Sequence, residues 1–280
     1  MCLFPIKASI KKFVDSDTGE YRTIINFGAK ANSLILQKKA EPIELPCGKC
    51  IECDLARSHE WSYRIVNEAS LYEDNCFITL TYRDNPIELN IRDYQLFLKR
   101  LRKKIGKFRY FLCGEYGSKK RRPHYHIIIF GWKPRDLEYF FTDKSGNIVY
   151  LSKFVENIWQ NGFVSVGEVN LNTAKYVSKY MQKQVDYDDL KKPFIRMSLK
   201  PGIGYNYFIQ NKQCLQTDKI YYDGNYIKLP RYYLKIASRK GYGDLEIKKN
   251  RVIKAQVCKR SEKELEDKRL FWSKKLDKPV

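Results

Sequence analysis

The sequence has few acidic residues and no long apolar segment. Its 32 aspartates and glutamates stand against 53 lysines and arginines, which leaves a formal net charge of +21. This excess is far larger than solubility requires, so it favours a polyanionic partner, and nucleic acid fits best. A generic basic surface is the alternative. No segment approaches the ~20 apolar residues of a membrane span, and Met1–Pro5 is too short for a signal-peptide core, so we expect a cytoplasmic protein with no membrane partner.

Aromatic residues and cysteines are, by contrast, plentiful. The 21 tyrosines and 15 phenylalanines supply flat surfaces on which unpaired bases stack, which suits a single-stranded nucleic acid. The eight cysteines are expected to be reduced thiols or metal ligands, because the cytosol disfavours structural disulfides.

The middle of the chain alternates strand and helix signals. Strands are predicted at residues 76–82, 108–115, 124–130 and 163–169, and helices at about residues 90–106 and 152–160. The order β-α-β-β-α-β is that of the ferredoxin-like split unit, an α+β fold with an antiparallel sheet like that of the RNA-recognition motif. In this unit the first and third strands are central, which agrees with the apolar run Ile127–Phe130. Its helices cover one face of the sheet and leave the other for ligands or for a trailing helix.

Two further helices flank this unit. One is predicted from Asp54 to Tyr72, and a trailing helix at about residues 173–184 follows the fourth strand. We divide the chain into an N-terminal extension at residues 1–46, the α+β domain at residues 47–200 and a basic, tyrosine-rich accessory region at residues 201–280. The accessory region is either a DNA-binding segment or, in its final charged part, a solvated helix.

Histidine is scarce, and two of the three histidines are His124 and His126 in the third strand. The two-residue period of a strand points both imidazoles to one face. Glu115 ends the second strand just before a turn, so antiparallel pairing would place its carboxylate beside them. These three side chains can chelate one divalent ion and leave positions open for water and substrate. A surface pair without a metal and a zinc hydrolase with a water nucleophile are the alternatives at this point.

Two tyrosines follow the fourth strand. Tyr176 and Tyr180 lie four residues apart, on one face of the trailing helix. Either phenol could attack a phosphate, with help from a cation because a free phenol has a pKa of ~10. Lys179 and Lys183 each follow a tyrosine at the third position and lie within reach. Taken alone, the two tyrosines also fit an ordinary buried aromatic pair.

Four basic residues precede the histidine pair: Lys119, Lys120, Arg121 and Arg122. They could grip phosphates near a reacting strand, an electrostatic contact that gives affinity without reading the base sequence. A solvated turn is the alternative.

A cysteine run lies ahead of the first predicted helix. Cys47, Cys50 and Cys53 supply three sulfurs to a structural zinc site, and the fourth ligand could be Cys2, His59 or a distant cysteine. Reduced thiols at the start of a helix are the alternative.

These motifs, in this order, resemble those of the HUH endonucleases. Phe77–Tyr82 is similar to their first motif, His124–His126 to their metal motif and Tyr176–Tyr180 to their two-tyrosine motif. Within this superfamily the chain resembles most the replication initiators of microviruses, small phages with circular single-stranded DNA, and in particular the gokushovirus group. Further similar segments are Pro46–Cys53, Cys113–Gly117, Arg122–His126 and Lys200–Gly204.

The resemblance implies a fold and a reaction. The HUH fold is the split α+β unit with a trailing, tyrosine-bearing helix. Mg²⁺ or Mn²⁺ would be held by His124, His126 and, by position, Glu115, and would polarise the scissile phosphate. One tyrosine would attack this phosphate, retain the 5′ end as a phosphotyrosine and release a 3′ hydroxyl that primes synthesis. The reverse attack would religate the strand without ATP.

The resemblance also implies partners. These are a viral origin in single-stranded DNA and host replication proteins, in the cytoplasm of a bacterial host cell. Two tyrosines would let one hold the old end while the other cuts the regenerated origin, so that rolling-circle replication ends in a closed circle. Two alternatives stay open: a non-catalytic single-stranded nucleic-acid-binding protein built on the same sheet, and a related HUH transposase or relaxase.

Overall fold

A computed structural model gives the structure of residues 2–14, 16, 19, 21–117, 120–143, 146–179, 191–257 and 260–276. The strands in these ranges are β1 (Ile6–Val14), β2 (Tyr21–Phe27), β3 (Glu41–Leu45), β4 (Asn75–Tyr82), β5 (Arg109–Tyr116), β6 (Pro123–Phe130), β7 (Glu138–Thr142), β8 (Ile148–Leu151), β9 (Gly162–Gly167), β10 (Phe194–Met197), β11 (Lys219–Tyr222) and β12 (Asn225–Lys228). The helices are α1 (Gly28–Leu36), α2 (Ile51–Ala69), α3 (Ile91–Ile105), α4 (Lys153–Trp159), α5 (Leu171–Lys179), α6 (Tyr205–Gln210), α7 (Cys214–Thr217), α8 (Arg231–Lys240), α9 (Leu245–Val257) and α10 (Glu262–Leu276).

The chain divides into two compact units. One consists of residues 1–57 and 258–280, and the other of residues 58–257. The first contains a three-stranded antiparallel sheet in the order β2-β1-β3. The domain limits at residues 46 and 200 stay predictions.

A seven-stranded antiparallel sheet dominates the second unit. Its strand order is β10-β5-β6-β4-β9-β8-β7. The series β4-α3-β5-β6-α4-β9 is the predicted split unit, and β4 and β6 are central in it. The α+β fold class and the central position of the apolar third strand are therefore confirmed.

The sheet is wider than the sequence pattern indicated. β10 extends it beside β5, and the hairpin of β7 and β8 extends it beside β9. All five residues of β7 are exposed, so this strand lacks the alternation of apolar and polar residues by which a half-buried strand is recognised. β10 has only four residues, too few for a periodic signal.

Helices cover both faces of the sheet. On one face Tyr125 and Ile127 of β6 pack with Phe97 of α3 and Trp159 of α4, and all four side chains are fully buried. On the other face Ile128 of β6 packs against α2 and α5. The split unit thus leaves one face to α5, as predicted, and α2 shares that face.

Capping residues fix the helices of the split unit. Asn90 accepts a hydrogen bond from the backbone N–H of Arg92 at the start of α3, and Gly106 ends this helix with φ +87°. Ser152 accepts from the N–H of Val155 at the start of α4. These caps agree with the sequence signals for both helices.

Residues 201–257 pack in the same unit as the sheet. The side-chain amide of Asn67 on α2 donates to the hydroxyl of Tyr233 on α8 at 3.0 Å. Glu68, also on α2 and fully buried, accepts hydrogen bonds from the side chain of Arg109 and from the N–H of Gly204. Within the described ranges, no helix combines the length and the apolar character that crossing a membrane requires.

Candidate functional site

The pairing of β5 with β6 brings the predicted metal ligands together. The strands are antiparallel, with Glu115 directly opposite His124 and Cys113 opposite His126. Both histidines point to one face because side chains alternate along a strand. The carboxylate of Glu115 therefore reaches both imidazoles from the neighbouring strand.

One carboxylate oxygen is the centre of this cluster. Glu115 Oε1 lies 2.9 Å from His124 Nε2 and 3.0 Å from His126 Nε2. Glu115 is only 2% exposed, and its other oxygen, Oε2, is buried without a hydrogen-bond partner in the described part of the chain. Buried carboxylate oxygens are seldom left unpaired, so Oε2 offers a coordination position to a cation.

Hydrogen bonds from behind orient both imidazole rings. His124 Nδ1 lies 3.0 Å from the backbone oxygen of Arg122, which can only accept, so Nδ1 carries a proton. His126 Nδ1 lies 3.0 Å from the hydroxyl of Thr79, and its ring stacks on Phe77 with the centroids 5.4 Å apart. Each ring therefore turns Nε2 toward Glu115, as metal-ligating histidines with a second hydrogen-bond partner do.

The electrostatics of the cluster suit a metal. Burial opposes ionisation of Glu115, but hydrogen bonds from His124 and His126 outweigh it and lower the pKa of this carboxyl. Burial lowers the pKa of His126, although Glu115 acts in the opposite direction. An ionised carboxylate and neutral imidazoles are the metal-binding forms. Two nitrogens, one carboxylate and the unpaired Oε2 thus make a donor set that fits one divalent ion.

Helix α5 is held across the sheet face that carries the histidines. Asn170 caps it: its side chain accepts from the N–H of Thr173, and the Thr173 hydroxyl accepts from the N–H of Asn170, both at 2.9 Å. Further along α5 the buried hydroxyl of Ser178 donates to the backbone oxygen of Ser58 on α2 at 3.1 Å. Both ends of the helix are therefore fixed.

Tyr176 reaches the cluster from α5. Its hydroxyl donates to Glu115 Oε1 at 3.3 Å, and its ring lies edge-on to His126 with the centroids 5.0 Å apart. The residue is 42% exposed, so a ligand in solvent can approach the phenol.

The other predicted residues are dispersed. Lys179 is exposed at the end of α5, and Lys120 and Arg121 are exposed in the turn between β5 and β6. Arg122 donates to the backbone oxygen of Tyr82 at 3.1 Å, so its guanidinium contacts the end of β4. The predicted residues that lie outside the described ranges are Lys119, Tyr180 and Lys183, together with the end of the predicted helix at residues 180–184.

Sequence reasoning missed the residues that support the site. Thr79 lies opposite His126 in the pairing of β4 with β6, and this register could have been derived once both strands were predicted. Ser58 and Ser178 are 120 residues apart, and nothing local to either serine indicates their contact.

A second metal-type cluster lies in the unit of residues 1–57 and 258–280. The sulfurs of Cys2, Cys47, Cys50 and Cys53 all lie within 4.8 Å of one another. Burial raises the pKa of the Cys47 thiol, but backbone N–H groups of Lys49 and Cys50 outweigh it and lower this pKa to about 7. The structure thus adds Cys2 to the predicted run of three.

Comparison with known proteins identifies the family. A family model for replication-associated proteins of the ORF2 type matches residues 75–185, the part of the chain that contains Glu115, both histidines and Tyr176. The chain is 32% identical over 252 residues to "Replication-associated protein VP4" of Bdellovibrio phage phiMH2K, a match that covers 83% of this chain and 75% of that protein. The chain belongs to the phage replication-associated proteins.

Two further replication-associated proteins support this membership. The "Replication-associated protein ORF4" of Chlamydia phage 1 is 33% identical over 216 residues, which is 70% of this chain and 54% of that protein. The "Replication-associated protein ORF2" of Spiroplasma virus 4 is 32% identical over 214 residues, 68% of this chain and 66% of that protein. No solved structure matches the chain. The resemblance to microvirus replication proteins is confirmed.

Proposed function

We propose that this replication-associated protein initiates rolling-circle replication by nicking single-stranded DNA, with Tyr176 as the nucleophile. The observation that carries the proposal is the hydrogen bond between the Tyr176 hydroxyl and Glu115 Oε1, the oxygen that also contacts His124 and His126. A phenol this close to a metal-type donor set is positioned for attack on a phosphate bound there.

The cluster would hold Mg²⁺ or Mn²⁺ through Glu115, His124 and His126. The ion supplies electrostatic polarisation of the scissile phosphate and of the charge that develops on it. The chain itself keeps the ligands in their binding forms, since the pKa of Glu115 is lowered and that of His126 is lowered as well. A zinc hydrolase would use a water nucleophile instead, and the phenol beside the cluster favours the tyrosine reaction.

In the proposed step a bond forms between the phenolic oxygen of Tyr176 and the scissile phosphorus. The bond from phosphorus to the 3′ oxygen breaks, the phenol loses its proton and the leaving 3′ oxygen gains one. Glu115 orients the phenolic oxygen through the hydrogen bond at 3.3 Å. The 5′ end remains as a phosphotyrosine ester, and the 3′ hydroxyl primes synthesis. Because the ester conserves the phosphodiester bond, attack by a 3′ hydroxyl can close a circle without ATP.

Other predicted residues take supporting roles in the proposal. Tyr180 is the second nucleophile, which cuts the regenerated origin while Tyr176 holds the old end. Lys179 and Lys183 stabilise the phosphate charge, and basic residues of the β5–β6 turn grip the DNA backbone: Lys119, Lys120, Arg121 and Arg122. Host replication proteins would extend the 3′ end.

Formation of a covalent adduct tests the proposal. Purified protein is incubated with labelled, overlapping single-stranded oligonucleotides that cover the replicon encoding the chain, with Mn²⁺ or with EDTA. We expect an adduct that survives denaturing gels with Mn²⁺ only. Tyr176→Phe should lower the initial rate of adduct formation at least tenfold, whereas Tyr221→Phe, an exposed tyrosine on β11, should leave it unchanged.

Two results would contradict this proposal. A full adduct yield from the double variant Tyr176→Phe/Tyr180→Phe would exclude tyrosine chemistry at these positions. Salt-sensitive DNA binding without any adduct, unaffected by EDTA and by His124→Ala, would instead identify a non-catalytic single-strand binder.

A further inference from the structure

The four-cysteine cluster has the dimensions of a single tetrahedral site. The sulfurs of Cys2 and Cys50 lie 3.8 Å apart, and those of Cys47 and Cys53 lie 4.0 Å apart. A zinc ion with four sulfurs at ~2.3 Å requires sulfur–sulfur distances of about 3.8 Å. A disulfide would bring two sulfurs to about 2.05 Å, so the geometry fits a shared ion and not a pair of disulfides.

Backbone N–H groups surround the sulfurs. The N–H of Leu3 points at Cys50 Sγ at 3.4 Å, that of Cys47 at Cys2 Sγ at 3.2 Å and that of Lys49 at Cys47 Sγ at 3.5 Å. Such donors stabilise negative charge on sulfur. Gly48, with φ +76°, lets the chain turn tightly between Cys47 and Cys50.

The unit around this cluster has a small hydrophobic core. The buried apolar residues in its described part are Leu3, Ala8, Ala31, Cys50 and Leu265. Several large apolar side chains of its sheet are exposed instead, among them Ile24 and Phe27. Small folds with so little buried apolar surface usually need a metal or a disulfide for stability.

We propose that Cys2, Cys47, Cys50 and Cys53 bind one structural zinc ion. Four protein ligands fill a tetrahedral site, so no position remains for substrate, and the site is structural rather than catalytic. The ion joins Cys2 to the cysteines that precede and begin α2, and β1, β2 and β3 all lie in the loop of chain that it closes. It thereby supplies the cross-link that the small core lacks. The inference is independent of the proposed nicking reaction.

Metal analysis of the full chain tests the site. The protein is expressed with zinc, purified without chelators and analysed for zinc and iron. We expect one sulfur-bound zinc per chain, with an X-ray absorption spectrum that shows four sulfurs at ~2.3 Å. His126→Ala should retain this signal, which separates it from any zinc at the histidine cluster. Cys50→Ser and Cys2→Ser should each remove or strongly reduce it. Cys214→Ser, a buried cysteine outside the cluster, is the matched control and should keep it.

A second measurement covers the case in which a cysteine variant does not fold. In the native wild-type chain the four cysteines should resist alkylation by a maleimide, and a strong chelator should make them reactive, as peptide mapping by mass spectrometry can show. Iron in place of zinc, a first shell of nitrogen and oxygen, or full alkylation of the native protein would each overturn the proposal. So would an unchanged zinc-sulfur signal in Cys2→Ser, because the site would then have a different fourth ligand.

Discussion

At the scale of single residues, Glu115 Oε1 accepts contacts from His124, His126 and Tyr176. One oxygen therefore sets the relative position of two ligands and one phenol. The histidine pair and the carboxylate could be chosen from the sequence because they are rare residue types at strand positions that share a face. The supporting role of Thr79 could not, because threonine is common in strands and its role depends on the register of β4 with β6.

Thr79→Val should weaken metal binding. The valine keeps the shape of the side chain but removes the hydroxyl that lies 3.0 Å from His126 Nδ1, so the buried ring is left without a partner that fixes its orientation. Removing such a partner typically lowers metal affinity 10–100-fold. A titration with Mn²⁺ followed by electron paramagnetic resonance measures the Kd. Thr142→Val, at an exposed position on β7, is the control, and equal affinities for both variants would contradict this role of Thr79.

At the scale of elements, the strands carry the metal ligands and a helix carries the phenol. The sequence predicted these elements well, because Asn90, Gly106 and Ser152 are local signals that end or begin helices. It placed the first helix at residues 54–72, whereas α2 runs over Ile51–Ala69. The side chain of Asn75 donates to the backbone oxygens of Ala69 and Tyr72 at 3.0 and 3.2 Å. These hydrogen bonds satisfy carbonyls at the end of the helix, and the periodicity of apolar residues does not report them.

Gly162→Ala should destabilise the junction of α4, β4 and β9. A Cβ at Gly162, where φ is +150°, would overlap the backbone nitrogen of Arg83 and the backbone oxygen of Thr81. Overpacking of this kind costs about 1–3 kcal/mol, which urea denaturation followed by circular dichroism can measure. Gly167→Ala on the same strand is the matched control, since its nearest contact would be an ordinary 3.7 Å. Equal unfolding midpoints for the two variants would refute the steric argument.

At the scale of the whole molecule, the charge of +21 indicated a polyanionic partner but not where it binds. Nothing in the sequence indicated that residues 201–257 pack with α2. That packing depends on pairs such as Asn67 and Tyr233, which are 166 residues apart. Composition and local periodicity therefore defined the class of partner and the central fold, whereas the assembly of distant segments needed the three-dimensional structure.

The double variant Lys120→Ala/Arg121→Ala should reduce the salt dependence of single-stranded DNA binding. Both residues are exposed in the turn beside the proposed site, and each phosphate that is no longer neutralised should lower the slope of log K against log salt by about 0.7. Fluorescence anisotropy at several salt concentrations measures this slope. Lys103→Ala/Lys104→Ala removes two exposed charges from α3, on the opposite face of the sheet, and should change it less. An equal change in both double variants would indicate nonspecific attraction.

The separation of ligands and nucleophile on different elements has a practical consequence. Glu115, His124 and His126 are fixed by the pairing of β5 with β6, and Tyr176 contributes no backbone hydrogen bond to that pairing. Tyr176→Phe therefore removes the attacking oxygen and leaves the donor set in place. Such a variant is suited to substrate trapping, in which an uncut strand stays bound long enough for crystallisation or for footprinting of the recognised DNA.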